Sequence, residues 1–360
     1  MEANQMADAM FLRDCWYAAA WPSEIGAKPL ARTFCGEPVM MYRTGAGAVA
    51  ALEDRCCHRN LPLSMGKIEG DNLRCGYHGL LFDRTGACIE VPGQSTIPPG
   101  AQVRRYPLVE KWKLLWIWMG DPARADEGLI PEWYFLDHPD WVAAHGNDEK
   151  PLPMKCYWEL NNDNLLDLSH VVYVHSNTLG GAHLEKNPIR TERFERSVRM
   201  WRWSRDVPPT PIFAKYLNLQ GNMDRWQVSD IDAPSHCVVD AGFAPAGRYA
   251  PEDDRSDSLG FRALITATPE TESTSFMFYA QCRNFATDDA NLTRTFIADF
   301  RNVFFEDIAV MEAQQRINSL RPGAPTIDIN VDAPHIAMRQ LIRRLAATEG
   351  ASAGVAHAHA

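Results

Sequence analysis

The sequence predicts an α+β protein of two domains: a small antiparallel β domain, then a larger domain with an antiparallel sheet flanked by helices. A chain of 360 residues has room for two domains. Short apolar runs broken by glycine and proline predict the first domain. Strand-like runs between amphipathic helical segments predict the second. The composition, 46% hydrophobic and 23% charged, is that of a globular protein and excludes a disordered or fibrous chain.

The first domain is predicted over residues 11–125, after a flexible N-terminus at residues 1–10. Its strand-like runs include Val39–Tyr42, Val49–Leu52 and Leu114–Trp118. The segment Asp121–Glu132 indicates a boundary, because its prolines and charges interrupt both the strand and the helix periodicity.

The second domain is predicted over residues 126–348, before a flexible, alanine- and glycine-rich tail at residues 349–360. Leu160–Val174 has helical spacing, and Asn291–Leu320 reads as one long amphipathic helix. Asp332 followed by Pro334 indicates the start of a closing helix that includes Met338–Ala347. The strand-like runs between these helices are Val198–Trp203, Trp226–Ile231, Cys237–Phe243, Phe261–Thr268 and Ser275–Gln281.

Charge and cysteine content limit the partners and the compartment. The formal net charge of −10 argues against nucleic acid and against an anionic membrane surface as partners, and by itself favours solubility. The nine cysteines are scattered, and neither a signal peptide nor a membrane-spanning run is evident. We therefore expect a cytoplasmic protein in which a close Cys/His grouping indicates a metal site or catalysis.

Two mixed boxes supply such a grouping. Cys56-Cys57-His58 and Cys75-Gly76-Tyr77-His78 each offer one thiolate and one imidazole, with sixteen residues between the boxes. Two cysteines on one iron and two histidines on the other form the ligand set of a Rieske [2Fe–2S] centre. A structural zinc ion is the alternative, but zinc sites usually take both cysteines from one knuckle and both histidines from another. The boxes favour the cluster.

A second group of metal-binding residue types follows in the second domain. Asp163, Asp167 and His170 are spaced so that they share one helical face. His175 lies about 140° round the helix from His170, so a regular helix cannot point both imidazoles at one metal. We therefore expect the helix to bulge or unwind near Val171-Val172.

A third ligand is available on the long C-terminal helix. Phe300, Phe304, Asp307 and Met311 fall on one stripe, which places a carboxylate in the middle of an apolar face. An unpaired buried carboxylate is costly, so Asp307 needs a cation. Considered alone it fits a buried ion pair; together with His170 and His175 it forms the 2-His-1-carboxylate triad of non-haem iron oxygenases.

Both metal motifs in this order resemble the oxygenase component of the Rieske non-haem iron aromatic oxygenases, over about residues 11 to 345. The resemblance implies a Rieske domain followed by a helix-grip-like catalytic domain. Further stretches resemble the vanillate O-demethylase and dicamba demethylase branch. They are Cys56–Gly66, Cys75–Leu80, Asp163–His175, Arg283-Asn284-Phe285, Glu306-Asp307 and Glu312-Ala313-Gln314-Gln315.

The resemblance also implies cofactors, partners and an electron path. Each chain would hold one [2Fe–2S] cluster and one mononuclear Fe(II), with O2 as co-substrate. Electrons from NAD(P)H would come from a separate flavin and iron–sulfur reductase, whose fingerprints this chain lacks. The chain would form an α-only homotrimer. Asp167 matches the aspartate that bridges His78 of one subunit and His170 of the next.

We therefore expect the terminal oxygenase of a multicomponent system that demethylates or hydroxylates a small aromatic acid or aryl methyl ether. A cis-dihydroxylating dioxygenase of a phthalate-type acid is an alternative. A Rieske electron-transfer protein without oxygenase activity, the alternative from another class, leaves His170, His175 and Asp307 unexplained, and a zinc-stabilised binding module is a further alternative. No arginine or histidine can be singled out as the anchor for a carboxylate.

Overall fold

The computed structural model describes residues 11–146, 149–176, 178–179, 187–209, 214, 221–251, 253, 255 and 258–357, with side chains as far as residue 349. The predicted flexible N-terminus, residues 1–10, lies outside the described residues. The chain divides into two compact units. One is Phe11–Ile130 with Thr268–Glu272, and the other is Pro131–Ala267 with the chain from Ser273 onward. The predicted domain bounds, 11–125 and 126–348, stay a prediction.

The first unit is built from short antiparallel strands, as the sequence predicts. Its strands are β1 (Trp16–Ala20), β2 (Leu30–Phe34), β3 (Glu37–Arg43), β4 (Val49–Glu53), β5 (Lys67–Glu69), β6 (Asn72–Arg74), β7 (Leu81–Phe82), β8 (Cys88–Glu90), β9 (Arg105–Tyr106), β10 (Leu108–Lys111) and β11 (Leu114–Trp118). They form three sheets with the orders β1-β11-β10, β2-β3-β4-β9 and β5-β6-β7-β8. A shared core that includes Met40, Leu52, Leu73 and Phe82 fixes the loops after β4 and β6.

The second unit is an eight-stranded antiparallel sheet with helices. Its strands are β12 (Val142–His145), β13 (Leu152–Met154), β14 (Arg190–Arg193), β15 (Ser197–Val207), β16 (Met223–Asp232), β17 (His236–Pro245), β18 (Leu259–Thr271) and β19 (Thr274–Arg283). Its helices are α1 (Glu159–Leu165), α2 (Val171–Val174), α3 (Ala290–Leu320) and α4 (Ala333–His357). The strand order is β12-β19-β18-β17-β16-β15-β14, and β13 pairs with β19. The predicted α+β class is confirmed.

Helix α3 covers one face of this sheet, which we call the inner face. The Phe261 ring on β18 lies 5.8 Å from the Phe296 ring and 5.0 Å from the Phe300 ring of α3. Phe300, Phe304, Asp307 and Met311 are buried, as their stripe in the sequence predicts. The long helix is therefore held by its apolar stripe, and Asp307 is carried inward with it.

The start of α3 is fixed by two side chains. Asp289 caps the helix, since its Oδ1 accepts a hydrogen bond from the Leu292 amide at 2.9 Å. Arg283, which is buried, donates from Nη2 to the Asp289 carbonyl at 3.0 Å and to Thr293 Oγ1 at 2.7 Å. These bonds tie the end of β19 to the first turn of α3, and so set the direction in which α3 runs toward Asp307.

The segment Leu160–Val174 is interrupted, as the sequence predicts, but the interruption lies somewhat earlier than expected. The chain leaves helical geometry between the end of α1 and the start of α2, that is, before Val171-Val172 rather than at these residues. The physical reason is Asp167, whose Oδ1 accepts hydrogen bonds from the Ser169 amide at 2.7 Å and the Ser169 hydroxyl at 2.5 Å. Such a local turn competes with the helical ladder. Asp163, Asp167 and His170 therefore do not share one helical face.

The closing helix α4 runs from Ala333 to His357, through residues for which the sequence predicts a flexible tail. Its alanine-rich composition favours helix even outside a packed core. A 3₁₀ turn at Asn330–Asp332 precedes it, close to the predicted start. Among the described residues, no helix is both long and apolar enough to cross a membrane.

Candidate metal centres

The two Cys-His boxes lie on two loops with the same hydrogen-bond pattern. In the first, the Cys56 amide donates to the Leu61 carbonyl at 2.9 Å and the Asn60 amide to the Cys56 carbonyl at 3.0 Å. In the second, the Cys75 amide donates to the Leu80 carbonyl at 2.8 Å and the Gly79 amide to the Cys75 carbonyl at 3.2 Å. Each loop therefore closes on its own cysteine.

The two loops approach each other closely because their backbone adopts conformations that few residue types tolerate. Asn60 and Gly79, at equivalent places in the two loops, have φ of 57° and 74°, in the left-handed region. A Cβ on Gly76 would lie 2.8 Å from the Met65 carbonyl oxygen, so only glycine lets the second loop approach the first. The conformational freedom of glycine at positions 76 and 79 therefore allows the two loops to approach each other.

The four candidate ligands form two pairs. Cys56 and Cys75 are buried, and burial, with a smaller contribution from the neighbouring Cys75, raises the pKa of Cys56 to about 11. His58 and His78 are exposed, with ring centroids 4.5 Å apart. Within the described part of the chain, these four do not converge on one point as the ligands of a single zinc ion would. Two separate pairs fit two irons, with the cysteine iron inside and the histidine iron outside.

The second candidate centre brings together His170, His175 and Asp307. His175 Nε2 lies 2.9 Å from Asp307 Oδ1 and 3.3 Å from His170 Nε2, and His170 Nε2 lies 3.4 Å from the same carboxylate oxygen. Ligand atoms about 2.1 Å from one metal at right angles stand about 3 Å apart. The three atoms thus outline one face of an octahedron, and within the described residues no further His, Cys, Asp or Glu joins this group.

The break between α1 and α2 allows this convergence. His170 stands at the start of α2 and His175 directly after its end, so neither is held to the angular spacing of one regular helix. Only 2% of His175 and 5% of Asp307 is exposed, whereas His170 is half-buried. The centre is therefore shielded from water on the α3 side.

Two further residues support the triad. Glu306 Oε2 lies 2.6 Å from His175 Nδ1, and Asn164 donates from Nδ2 to Asp307 Oδ1 at 3.0 Å. From the sequence, Glu306 lies off the apolar stripe of α3 and is expected at a solvated or hydrogen-bonding position. In the structure Glu306 is half-buried, and its carboxylate reaches Nδ1 of the candidate ligand His175. In the sequence, the position of Glu306 next to Asp307 was the signal that could have identified it as a residue that supports the triad.

The charges of the triad influence one another. Burial lowers the pKa of His175, but hydrogen bonds and charges of Asp307 and Glu306 outweigh that effect, and the net pKa is raised. Burial likewise raises the pKa of Asp307, but its contacts with His170 and His175 hold the pKa at about 2. An anionic Asp307 and two imidazoles are the donor set that a divalent transition metal requires.

Asp167 is placed beside this centre. Its Oδ2 lies 3.9 Å from His170 Nδ1, which is beyond hydrogen-bonding distance, while Oδ1 is occupied by Ser169. Asp163 plays a different part, because it pairs with Arg339 of α4, whose Nε donates to Asp163 Oδ1 at 3.0 Å. Of the two aspartates in the motif, Asp167 is the one that lies beside the candidate metal ligand His170.

The sheet face opposite α3 carries a groove of about 880 Å³. Its walls include Trp201, Trp203 and Trp226, which alternate along β15 and β16 with residues of the inner face. These aromatic side chains therefore lie on the face of the sheet opposite helix α3, which carries Asp307.

Comparison with known proteins agrees with both centres. The family model of the Rieske [2Fe–2S] domain matches residues 15–107, and that of the vanillate O-demethylase oxygenase C-terminal domain matches residues 154–348. The chain therefore belongs to the Rieske non-haem iron oxygenases, as an oxygenase component with a vanillate O-demethylase type of C-terminal domain. It is an oxidoreductase that incorporates oxygen from O2, and its cofactors are a [2Fe–2S] cluster and a mononuclear iron.

Individual relatives span nearly the whole chain. The iron–sulfur subunit of the toluene-4-sulfonate monooxygenase system of Comamonas testosteroni is 40% identical over 345 residues, 94% of this chain and 98% of the relative. The vanillate O-demethylase oxygenase subunit of a Pseudomonas strain is 32% identical, over 96% of this chain and 98% of the relative. A crystal structure of dicamba monooxygenase bound to dicamba superposes with a TM-score of 0.85 at 31% identity, covering 95% of this chain and 99% of that one.

Proposed function

We propose that this chain is the terminal oxygenase that demethylates or hydroxylates a small aromatic compound bearing an acid group or an aryl methyl ether. The observation that carries the proposal is the triangle of His170, His175 and Asp307, which leaves coordination positions open. The names of its relatives, which refer to toluene-4-sulfonate, vanillate and dicamba, support an aromatic substrate of this kind.

We further propose the ligands of both metals. Cys56 and Cys75 would hold one iron of the cluster, and His58 and His78 the other. His170, His175 and Asp307 would hold the mononuclear iron, which supplies open positions at which O2 meets substrate and electrons.

The surrounding residues prepare this site. Glu306 holds His175 Nδ1–H, which fixes the ring with Nε2 pointing at the metal position. Asn164 donates to Asp307 Oδ1 and so orients the carboxylate. The aromatic stripe of α3, with the Phe304 and Tyr279 rings 4.6 Å apart, excludes water behind Asp307.

The electron donor in this proposal is a separate NAD(P)H-dependent flavin and iron–sulfur reductase in the same compartment, the cytoplasm. Names of relatives as oxygenase components or subunits support a partner of this kind. Exposure of His58 and His78 supports electron entry or exit at the histidine iron.

We also propose a homotrimer in which Asp167 links His78 of one subunit to His170 of the next. Asp167 lies 3.9 Å from His170 Nδ1 and is half-buried, which suits a carboxylate that completes its hydrogen bonds with a neighbouring chain. Such a bridge would orient both imidazoles and shorten the electron path.

A panel of methoxybenzoates, arylsulfonates and phthalates with a generic reductase tests the proposed reaction. We expect NADH- and O2-dependent turnover that releases formaldehyde or a hydroxylated product from the unmodified protein. Asp307→Ala should keep the cluster absorption and lose turnover, because only the mononuclear iron lacks a ligand. A cis-diol product would favour the dioxygenase alternative, and turnover by Asp307→Ala would contradict the triad.

A further inference from the structure

Two arginines are buried in the catalytic unit. Arg202 on β15 is 3% exposed and Arg225 on β16 is 5% exposed. Charged side chains are almost never buried this far unless they are paired, because removing a charge from water costs several kcal/mol, on the order of a whole domain's stability. Neither is needed to explain the metal centres.

The register of the sheet places both arginines on the inner face. Arg202 lies opposite Gln227, Gln227 opposite Ala241, and Ala241 opposite Phe261, which packs on α3. Residues directly opposite one another across antiparallel strands point to the same side of the sheet. Arg225 lies two positions before Gln227 on β16, so it faces the same side.

The two side chains are close enough to act on one group. They occupy diagonal positions on neighbouring strands, where Cα atoms stand roughly 7–8 Å apart. Each guanidinium is a planar fork of donors that matches the oxygens of a carboxylate or sulfonate. Two such forks on adjacent strands could hold one oxyanion between them.

Arg202 also reaches the segment that carries the metal ligands. Its Nη2 donates to the Leu168 carbonyl at 2.7 Å, two residues before His170. The carboxylate of Asp167 attracts Arg202 as well. Arg202 therefore lies next to the segment that carries the proposed iron ligands.

Polar side chains surround the pair at one end of the two strands. Ser204, Gln227 and Ser229 are buried on the same face. Farther along, the inner face of β15 and β16 becomes apolar, with Val198, Met200 and Ile231. A polar end joined to an apolar remainder is typical of a ligand pocket, whereas a simple core would be apolar throughout.

The electrostatics favour an anion here. Burial lowers the pKa of Arg202 to about 10. Burial lowers the pKa of Arg225 to about 9, and the charge of Arg202 contributes to that decrease. Both side chains still carry their proton at neutral pH, so positive charge is concentrated where its solvation is poor.

We propose that Arg202 and Arg225 form the anion subsite of the substrate site and bind the carboxylate or sulfonate of an aromatic acid. This inference rests on the proposed function, because it assumes that the aromatic substrate binds between the inner face and the iron ligands. It adds the specificity-determining residues that the sequence could not single out.

Equilibrium binding to the holoprotein, measured by calorimetry without reductase, tests the subsite. The probes are toluene-4-sulfonate and 4-methylbenzoate, with the neutral toluene-4-sulfonamide and 4-methylbenzamide as counterparts of similar shape. Loss of one charge-assisted contact should raise the Kd of both acids at least about tenfold in Arg225→Gln. The neutral probes should change less than about twofold, because they lack the charge.

Arg199→Gln is the matched control. Arg199 stands on the same strand as Arg202 but on the opposite face, where its Nε donates to Asp230 at 3.1 Å. This variant removes the same charge and should bind all four probes as the unmodified protein does. Equal weakening of acids and neutral probes in Arg225→Gln would overturn the subsite and indicate a structural role for the arginine.

Comparison on the unmodified protein does not depend on the folding of any variant. The anion subsite requires each acid to bind at least about tenfold more tightly than its neutral counterpart, and equal affinities would overturn it. Turnover separates the two proposals. Oxidation of neutral aromatics without preference for acids would leave the oxygenase intact and remove the subsite. Binding of acids that depends on Arg225, without turnover of any aromatic compound, would support the subsite and contradict the proposed oxygenase reaction.

Discussion

His170 and His175 are five positions apart in the sequence, a spacing that one regular helix cannot turn toward one metal. In the structure the helix is interrupted, because Asp167 forms a local turn with Ser169 that ends helical geometry before α2. The two histidines then flank α2, and their Nε2 atoms come within 3.3 Å of each other. The sequence could predict that the helix must break, but the place of the break depended on a hydrogen bond that spacing does not reveal.

Glu306 gives the sharpest prediction at the residue scale. Because it holds His175 Nδ1, Glu306→Ala should weaken Fe(II) binding by about 10–100-fold, while Glu306→Gln, which still accepts a hydrogen bond, should restore part of the affinity. Iron content after dialysis at graded Fe(II) concentrations measures both.

Glu312→Gln on the same helix is the control for these variants, because Glu312 Oε1 accepts a bond from the Lys155 amide and does not contact the triad. We expect it to bind iron as the unmodified protein does. If Glu306→Ala kept full affinity, the 2.6 Å contact with His175 would have no role in metal binding.

At the scale of elements, an ion pair joins helix α1 to helix α4. Asp163 of α1 pairs with Arg339 of α4, and Glu159 lies one turn away on α1. Burial raises the pKa of Glu159 to about 7, and the neighbouring charge of Asp163 adds to the effect. The sequence gave no sign that Asp163 pairs with a residue of a segment more than 170 residues later.

This raised pKa predicts a pH dependence of stability. A carboxyl group that binds its proton more tightly in the folded state makes the free energy of unfolding fall as pH rises, here between about 4.5 and about 7. The contribution is at most about 3 kcal/mol. Glu159→Gln should remove it, so that the variant gains stability relative to the unmodified protein as pH rises through this window.

Thermal unfolding midpoints measured from pH 5 to pH 8 test the prediction. The exposed Glu272 provides a control, and Glu272→Gln should follow the unmodified protein at every pH. A constant difference between Glu159→Gln and the unmodified protein across the range would show that Glu159 titrates as an ordinary carboxyl group.

At the scale of the whole molecule, the proposed trimer predicts complementation between two inactive variants. His78→Ala lacks a proposed ligand of the cluster, and Asp307→Ala lacks a proposed ligand of the mononuclear iron. In a closed ring of three, every mixed trimer contains one junction in three at which an intact cluster faces an intact iron. Mixed trimers isolated through two different affinity tags should therefore recover about a third of normal turnover.

Each variant alone should be inactive in the same assay. Mixed trimers that hold both metals and remain inactive would place electron transfer within a single chain, and would remove Asp167 from a bridge between subunits.

The sequence by itself determined which metal centres and which class of reaction to expect. Ligand types, their order and their local spacing predicted a Rieske cluster and a mononuclear iron centre, and the family is confirmed. The β domain, the sheet and the long helix α3 followed from hydrophobic periodicity, which is a local property. Asp307 was identifiable because a carboxylate interrupts an otherwise apolar stripe.

Tertiary structure alone decided which distant residues meet. The contact of Glu306 with His175, the pairing of Asp163 with Arg339, and the placement of Arg202 and Arg225 on the inner face each depend on strand register or helix packing. One residue of register moves a side chain to the opposite face of a sheet, so a linear pattern could not separate the buried Arg202 from the half-buried Arg199 on the opposite face. The spacing of the candidate ligands predicted which metal centres the protein holds, whereas the proposed substrate subsite could be recognised only from the alignment of the strands.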